Sequence, residues 1–412
     1  MTTDELEEIF RQATVALQRG DYERASSYLN KVLELAPQNA DAFVFRGIAR
    51  LGMRDSEGAI NDWNKAIQLK PDNLEAYINR GNARWHKGEQ DQALADWCKA
   101  IELAPDNSKN AITYYNRGFA NQDRQNWDQA ISDYDKAIEL NPAYFQARNN
   151  RGRIYGHKGE WTKALGDFTG VLRIDPNNFN AYASRGEAYQ FMGDLDKAIS
   201  DYDKALQLEP EAGKIYYRRG NCYLKKGEFE FAMQNYDRAI VNCPDLAGAY
   251  FQRGNLHSRN GDWNQAINDY NEAINLYPKG AQAFYRRGIA YRRKGEWTKA
   301  IADWNQTIEL NPKVADPHNE LAWLLATCSD FSIRNGKQAV AAALKACELS
   351  EWKKWNCIGT LAAAFAETGD FAQAIKFQTQ ATNMEGVPQK ARAEAENRLD
   401  MYRRQNPFHA SC

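Results

Sequence analysis

The chain repeats itself every 34 residues. An Arg-Gly pair opens each clear copy, an Ala stands twelve residues after the Gly, an aromatic follows four residues later, and a Pro closes it. The glycines are Gly47, Gly81, Gly118, Gly152, Gly186, Gly220, Gly254 and Gly288, with a single longer step of 37 between Gly81 and Gly118. A fixed period of this length marks a stacked array, because each unit is one supersecondary motif that cannot bury its apolar face alone. It overrides the two or three domains that 412 residues would otherwise suggest. It also moves the search for function from a catalytic cluster to a surface.

One copy, Leu74 to Asn107, shows the local logic. Apolar and small residues recur at three- and four-residue spacing from Tyr77 to Trp85 and again from Gln92 to Leu103, so the copy predicts two amphipathic helices. Gly88 breaks the chain between them, Glu89-Gln90-Asp91 sets acidic residues at the start of the second, and Pro105 ends it. Gly81 and Ala93 are small so that the two helices approach closely, Ala100 does the same toward the next copy, and Trp97 fills the space they leave.

Composition narrows the function classes. With 53 basic and 54 acidic residues the net charge is −1, which gives no global drive toward nucleic acid or anionic lipid. Seven cysteines without CxxC spacing read as reduced, mostly buried thiols in a cytoplasmic protein. The acidic start MTTDELEEIF does not read as a secretory signal, and no stretch approaches the ~20 apolar residues that cross a bilayer.

On these residues the chain resembles tetratricopeptide-repeat proteins, whose copies carry small residues at positions 8 and 20, an aromatic near 24 and Pro at 32. Position 20 here is Ala from Ala25 to Ala300, and position 24 reads Trp63, Trp97, Tyr134, Phe168, Tyr202, Tyr236, Tyr270 and Trp304. The resemblance implies an all-α fold, a right-handed solenoid of antiparallel helical hairpins. It divides the chain into nine clear repeats over 1–312, two diverged ones over 313–387, and a capping helix and tail over 388–412. The second of the diverged pair is read from Leu361-Ala362-Ala363-Ala364-Phe365 and Gly369-Asp370-Phe371, and the cap from Pro388 to Arg404. Ser108-Lys109-Asn110 is expected to lengthen one turn.

Position 7, usually Leu in that family, is Arg in repeats two to nine: Arg46, Arg80, Arg117, Arg151, Arg185, Arg219, Arg253 and Arg287. Position 23 of the same repeats is Asp62, Asp96, Asp133, Asp167, Asp201, Asn235, Asp269 and Asp303. Repeats without the Arg (Gln12, Leu321, Leu361) also lack the acid (Tyr28, Ala342, Phe377). Matched presence and absence predicts a pair between the two helices of each hairpin, since a partly buried guanidinium needs a partner and a carboxylate suits its planar fork. The column is therefore read as structural, not as a basic stripe.

The resemblance also implies that the first helix of each hairpin lines a concave groove through positions 2, 5, 6, 9, 12 and 13. In repeats three to five this lining includes Asn79, Asn82, Asn116 and Asn150, amides able to bond the backbone of an extended peptide. In repeats seven to nine it holds Tyr217, Arg218, Asn221, Lys225, Phe251, Asn255, Arg259, Tyr285, Arg286, Arg292 and Arg293. Aromatics with unpaired cations suit an acidic or carboxylate-ended segment. No three consecutive repeats carry the family's clamp for chaperone tails.

His86, His157, His257, His318 and His409 form no metal-ligand spacing, and the chain holds no GxGxxG, GxxxxGK[ST] or GxSxG. The expectation is a cytoplasmic, non-enzymatic scaffold without metal or cofactor, binding an extended or acidic segment of another protein. The alternatives are a single-stranded RNA groove, tested by salt titration, or a docking subunit for a separate enzyme. The sequence sets neither the oligomeric state nor the number of ligands.

Overall fold

The computed structural model describes residues 3–410, and among them are twenty-three α-helices and no strand. They fall into two compact units, residues 1–208 and 209–412. The first holds six hairpins: α1 (Thr3–Gln18) with α2 (Tyr22–Leu35), α3 (Ala40–Gly52) with α4 (Ser56–Leu69), α5 (Leu74–His86) with α6 (Gln90–Leu103), α7 (Asn110–Asp123) with α8 (Trp127–Leu140), α9 (Phe145–His157) with α10 (Trp161–Ile174), and α11 (Phe179–Met192) with α12 (Leu195–Leu208). The second holds α13 (Gly213–Lys226) with α14 (Phe229–Asn242), α15 (Ala247–Asn260) with α16 (Trp263–Leu276), α17 (Ala281–Arg293) with α18 (Trp297–Leu310), α19 (Ala315–Thr327) with α20 (Gly336–Leu349), α21 (Trp355–Glu367) with α22 (Phe371–Asn383), and a final α23 (Gln389–Arg403). Within each unit every second helix packs on its mate and on the first helix of the following hairpin.

The small-residue positions do the steric work their spacing predicts. A Cβ added to Gly81 would lie 2.7 Å from the Trp97 indole nitrogen, so only glycine lets the ring in. Ala93 and Ala100 are fully buried and Trp97 nearly so. The same contact recurs in the second unit, where the Tyr236 ring meets Gly220. The turn between helices uses a left-handed residue, Gly88 in the third hairpin with φ of +84°. Arg54 and Gln125 hold the equivalent position with φ of 66° and 61°, a conformation costly for a residue with a Cβ.

The three-residue insertion is only partly a turn. Asn110 is the buried first residue of α7, and its amide donates to the carbonyls of Ala104 at 2.5 Å and Ala100 at 3.3 Å. It thereby adds a second donor to carbonyls at the end of α6 that also accept the Ala104 and Asn107 N–H groups. Of the cysteines, Cys222, Cys328, Cys347 and Cys357 are buried, Cys243 is half-buried and Cys98 is exposed; Cys412 lies outside the described residues. Burial pushes the Cys222 thiol up to about 11 and the Cys347 thiol up to about 12. No helix among the described residues is long and apolar enough to cross a membrane.

Candidate functional site

The arginine column is internal. Arg46, Arg80, Arg117, Arg151, Arg185, Arg253 and Arg287 each reach the Asp sixteen residues on through both Nε and Nη2, at 2.5–3.1 Å. Arg219 makes the corresponding bond to Asn235 Oδ1 at 2.8 Å. The hydrogen bond to Asp201 raises the Arg185 pKa further, so the guanidinium stays charged. A second link is absent from the sequence reading. Nη1 of these arginines donates backward to the preceding hairpin: Arg46 to Asn30, Arg80 to Asn64, Arg117 to Cys98 Sγ, Arg151 to Asp135, Arg185 to Thr169, Arg253 to Asp237 and Arg287 to Asn271. Most also sit 5.3–5.7 Å from the ring three residues earlier, as Arg80 does over Tyr77. Where that ring is replaced by Arg148, Arg151 sits over Tyr155 instead, at 5.9 Å.

With that column accounted for, the first-helix face of α5 and α7 holds a cavity of about 370 Å³ lined by Asn82, Trp85, His86, Trp97, Ile112, Tyr115, Asn116 and Phe119. Its two amides have fixed orientations. The Trp97 indole N–H donates to Asn82 Oδ1 at 3.0 Å, and an indole can only donate. Asn116 Nδ2 donates to the same oxygen at 2.9 Å. Asn82 therefore keeps its NH₂ donors, and Asn116 keeps its carbonyl acceptor. Around this donor and acceptor stand Trp85, 5.7 Å from Trp97 and 6.2 Å from Phe119, and the exposed Ile112 (47 %) and Phe119 (41 %). Large apolar side chains left open beside a polarised amide pair make a surface that can hold a main-chain amide and an apolar anchor together.

The other two asparagines lie apart from this pair. Asn79 is outside the cavity lining, and Asn150 is turned into the core, 3.4 Å from both Tyr115 and Tyr134 hydroxyls. Burial lifts the Tyr134 hydroxyl well above its ordinary range. Sequence reasoning missed Trp85, Ile112, Tyr115 and Phe119. Their signal was present: Ile112 stands at position 2 where other repeats carry Asp41 and Glu75, and Phe119 stands at position 9 where others carry Asn.

On α13 and α15 the position-9 amides are committed inward. Asn221 accepts from the Tyr236 hydroxyl and Asn255 from the Tyr270 hydroxyl, both at 2.9 Å. Tyr217 and Phe251 lie 6.1 and 6.0 Å from those same tyrosines. Burial first, then Glu320, pushes the Tyr285 hydroxyl up to about 12. The expectation of unpaired cations fails at Arg218, Arg259 and Arg292, each of which has a partner. The Arg259 guanidinium lies 3.6 Å from the Phe229 ring centroid, and Arg292 pairs with Glu320 at 3.3 Å. Arg286 is exposed and 5.9 Å from the Tyr285 ring. Lys225 and Arg293 are exposed, and Arg218 is half-buried on α13. Trp304 has a buried indole N–H without an acceptor, and Ile289 stands where Asn82 serves Trp97.

A larger opening of about 700 Å³ lies between α14 and α15 and is floored by Phe229, Phe231, Met233 and Leu256. Arg259 already covers one face of Phe229 there. Among the described residues no three His, Cys, Asp or Glu side chains are grouped to hold a metal.

Family models described as tetratricopeptide repeat match residues 10–51, 74–107, 111–144, 133–166, 179–211 and 251–325. A model described as TPR repeat matches 55–88 and 220–261. No curated protein matches the sequence. Among solved structures the chain is similar to MamA, at 27 % identity over 39 % of this chain and 95 % of that one, with a TM-score of 0.37. It is similar to YrrB, a TPR protein with an unusual peptide-binding site, at 25 % identity over 43 % and 92 %, with a TM-score of 0.38. Yeast Tom70 aligns over 98 % of this chain and 96 % of its own, at 16 % identity and a TM-score of 0.38.

Proposed function

The chain belongs to the tetratricopeptide-repeat family, and on that premise we propose that it is a non-enzymatic scaffold that holds a segment of another protein against the first helices of its hairpins. The observation that carries this reading is the cavity on α5 and α7. There an oriented donor and acceptor, Asn82 and Asn116, stand among Trp85, Ile112 and Phe119. An extended segment meets the amide pair with its own backbone N–H and C=O and seats one large apolar side chain among the rings.

The acidic character first expected of the segment now rests on fewer residues. Lys225, Arg286 and Arg293 remain exposed on α13 and α17, so an acidic stretch bound on that unit would gain affinity there. Arg259 and Arg292 contribute less, being engaged by Phe229 and Glu320.

The test compares capture of a partner by three forms of the full chain: wild type, Ile112→Asp with Phe119→Asp, and charge reversal at Lys225, Arg286 and Arg293. Both cavity positions are exposed, so the double variant should keep its helicity and melting temperature. We expect it to lose the partner, by about tenfold or more for one buried apolar anchor. Charge reversal should weaken capture less and flatten its salt dependence. Undiminished capture by the double variant would place the site elsewhere. Binding of homopolymer RNA with a steep salt slope would favour the nucleic-acid alternative.

A further inference from the structure

After α23 the backbone returns onto the last hairpins. α23 covers α22 with Ala395, Leu399 and Tyr402, all buried. After Arg403 the backbone reverses at Gln405, whose φ is 56°. The following residues then meet α19 and α21. Phe408 meets Trp323 in a tilted contact, with centroids 6.0 Å apart and an interplanar angle of 40°. His409 Nε2 lies 2.8 Å from Glu367 Oε2, and the Ala410 N–H donates to the Thr327 carbonyl at 2.8 Å. That carbonyl belongs to the last turn of α19, where no helical partner exists.

Three features mark this contact. Trp323, Thr327 and Glu367 occupy positions 9, 13 and 13 of their repeats, on the first-helix face. The contact reaches the interior: Phe408 packs against the buried cluster of Ala362, Ala366, Ala374 and Tyr402. And the fit is incomplete: the Arg398 side chain lies 5.5 Å from Trp323 and 5.8 Å from Phe408, yet its buried Nε has no hydrogen-bond partner. Glu367 is held in place from the other side by Arg334 Nε at 2.9 Å, and Arg334 also bonds the Cys328 carbonyl at 3.0 Å. One carboxylate oxygen is thus preset, and the other faces the incoming residue.

We infer that Trp323, the Thr327 carbonyl and Glu367 form a second docking site, for a partner segment that carries an aromatic residue followed by a cationic one, and that the chain's own tail fills this site until such a segment displaces it. The aromatic ring lies on Trp323, the cation or imidazole meets the free oxygen of Glu367, and the next N–H caps Thr327. A ligand with an additional acceptor beside its aromatic ring also answers Arg398, which the tail does not, and so outcompetes it. The inference is independent of the α5–α7 cavity, whose variants leave it untouched.

The test uses full-length protein and a fluorescein-labelled peptide with the sequence of residues 404–410. Phe408→Ala combined with His409→Ala empties the site without touching α19, α21 or α23. We expect this variant to bind the peptide at least about tenfold more tightly than wild type, whose tethered tail competes. Ala410→Pro, which removes the capping N–H but leaves both side chains of the tail, should give a smaller gain. Adding Glu367→Gln should weaken binding, and so should replacing Phe by Ala or His by Glu in the peptide; replacing His by Lys should preserve it. Equal affinity for wild type and variant overturns the inference, as does no binding to either up to millimolar peptide. A variant that melts below the assay temperature also overturns it, because the tail would then be part of the fold. Wild-type dimers formed by exchanging tails, seen by sedimentation, would overturn the competition within one chain.

Discussion

At the residue scale the Arg–Asp column shows what one sequence can reveal without relatives. Arg and acid appear and vanish together along the chain, and the structure joins them by two hydrogen bonds in each of seven hairpins. The third bond, from Nη1 to the preceding hairpin, left no trace in the sequence. Its acceptors are Asn, Asp, Thr and Cys, so no residue type marks the position. Asp201 is nearly buried, and removing its partner strands a carboxylate away from water. Arg185→Ala should therefore cost about 3 kcal/mol of stability. Arg185→Leu with Asp201→Leu should recover most of that loss. Urea unfolding of the single and double variants checks both; an additive double variant would mean that the pair is not coupled.

At the element scale the two-helix copy was legible almost to its ends, because period, small residues and closing Pro all point the same way. What did not show was the strain in two turns. Arg54 and Gln125 stand where Gly20, Gly88 and Gly159 supply the left-handed residue elsewhere, and the chain offers no compensating contact in its pattern. Arg54→Gly and Gln125→Gly should each raise stability by about 1 kcal/mol, read as an increase in melting temperature. A fall would mean that these side chains make contacts worth more than the strain. The insertion before α7 also hid its role. Three added residues read as a longer turn, whereas Asn110 folds into the helix and bonds the end of α6. Only the side chain's direction distinguishes these outcomes, and spacing carries no information on it.

At the scale of the whole molecule the fold was readable and the site was not. Groove-lining positions identify Asn82, Asn116, Asn221 and Asn255 alike. Yet Asn221 and Asn255 serve the hydroxyls of Tyr236 and Tyr270, while Asn82 and Asn116 join across two hairpins, Asn82 keeping its donors and Asn116 its acceptor. The difference lies in which aromatic stands behind each amide and in Phe119 replacing an Asn, so it emerges only when hairpins are set side by side. Likewise Arg259 and Arg292 look free in the sequence, because Phe229 and Glu320 lie 30 and 28 residues away along the chain. The same modularity makes a prediction about length. Excising residues 145–178 removes one period and brings Asp135 to the place of Thr169 behind Arg185. The shortened chain should fold with proportionate loss of helicity, measured by circular dichroism. A molten or insoluble product would show that hairpins are not interchangeable.

The backward reach of each guanidinium has a consequence for ancestry. Its buried, charged partner travels within the same hairpin, and its other partner is whatever amide, hydroxyl, thiol or half-exposed carboxylate the neighbour happens to offer. A gene segment encoding one hairpin can thus be copied, lost or reshuffled without stranding a buried charge. Lengthening such a chain requires no simultaneous second change, and natural variants differing by whole multiples of 34 codons should be viable.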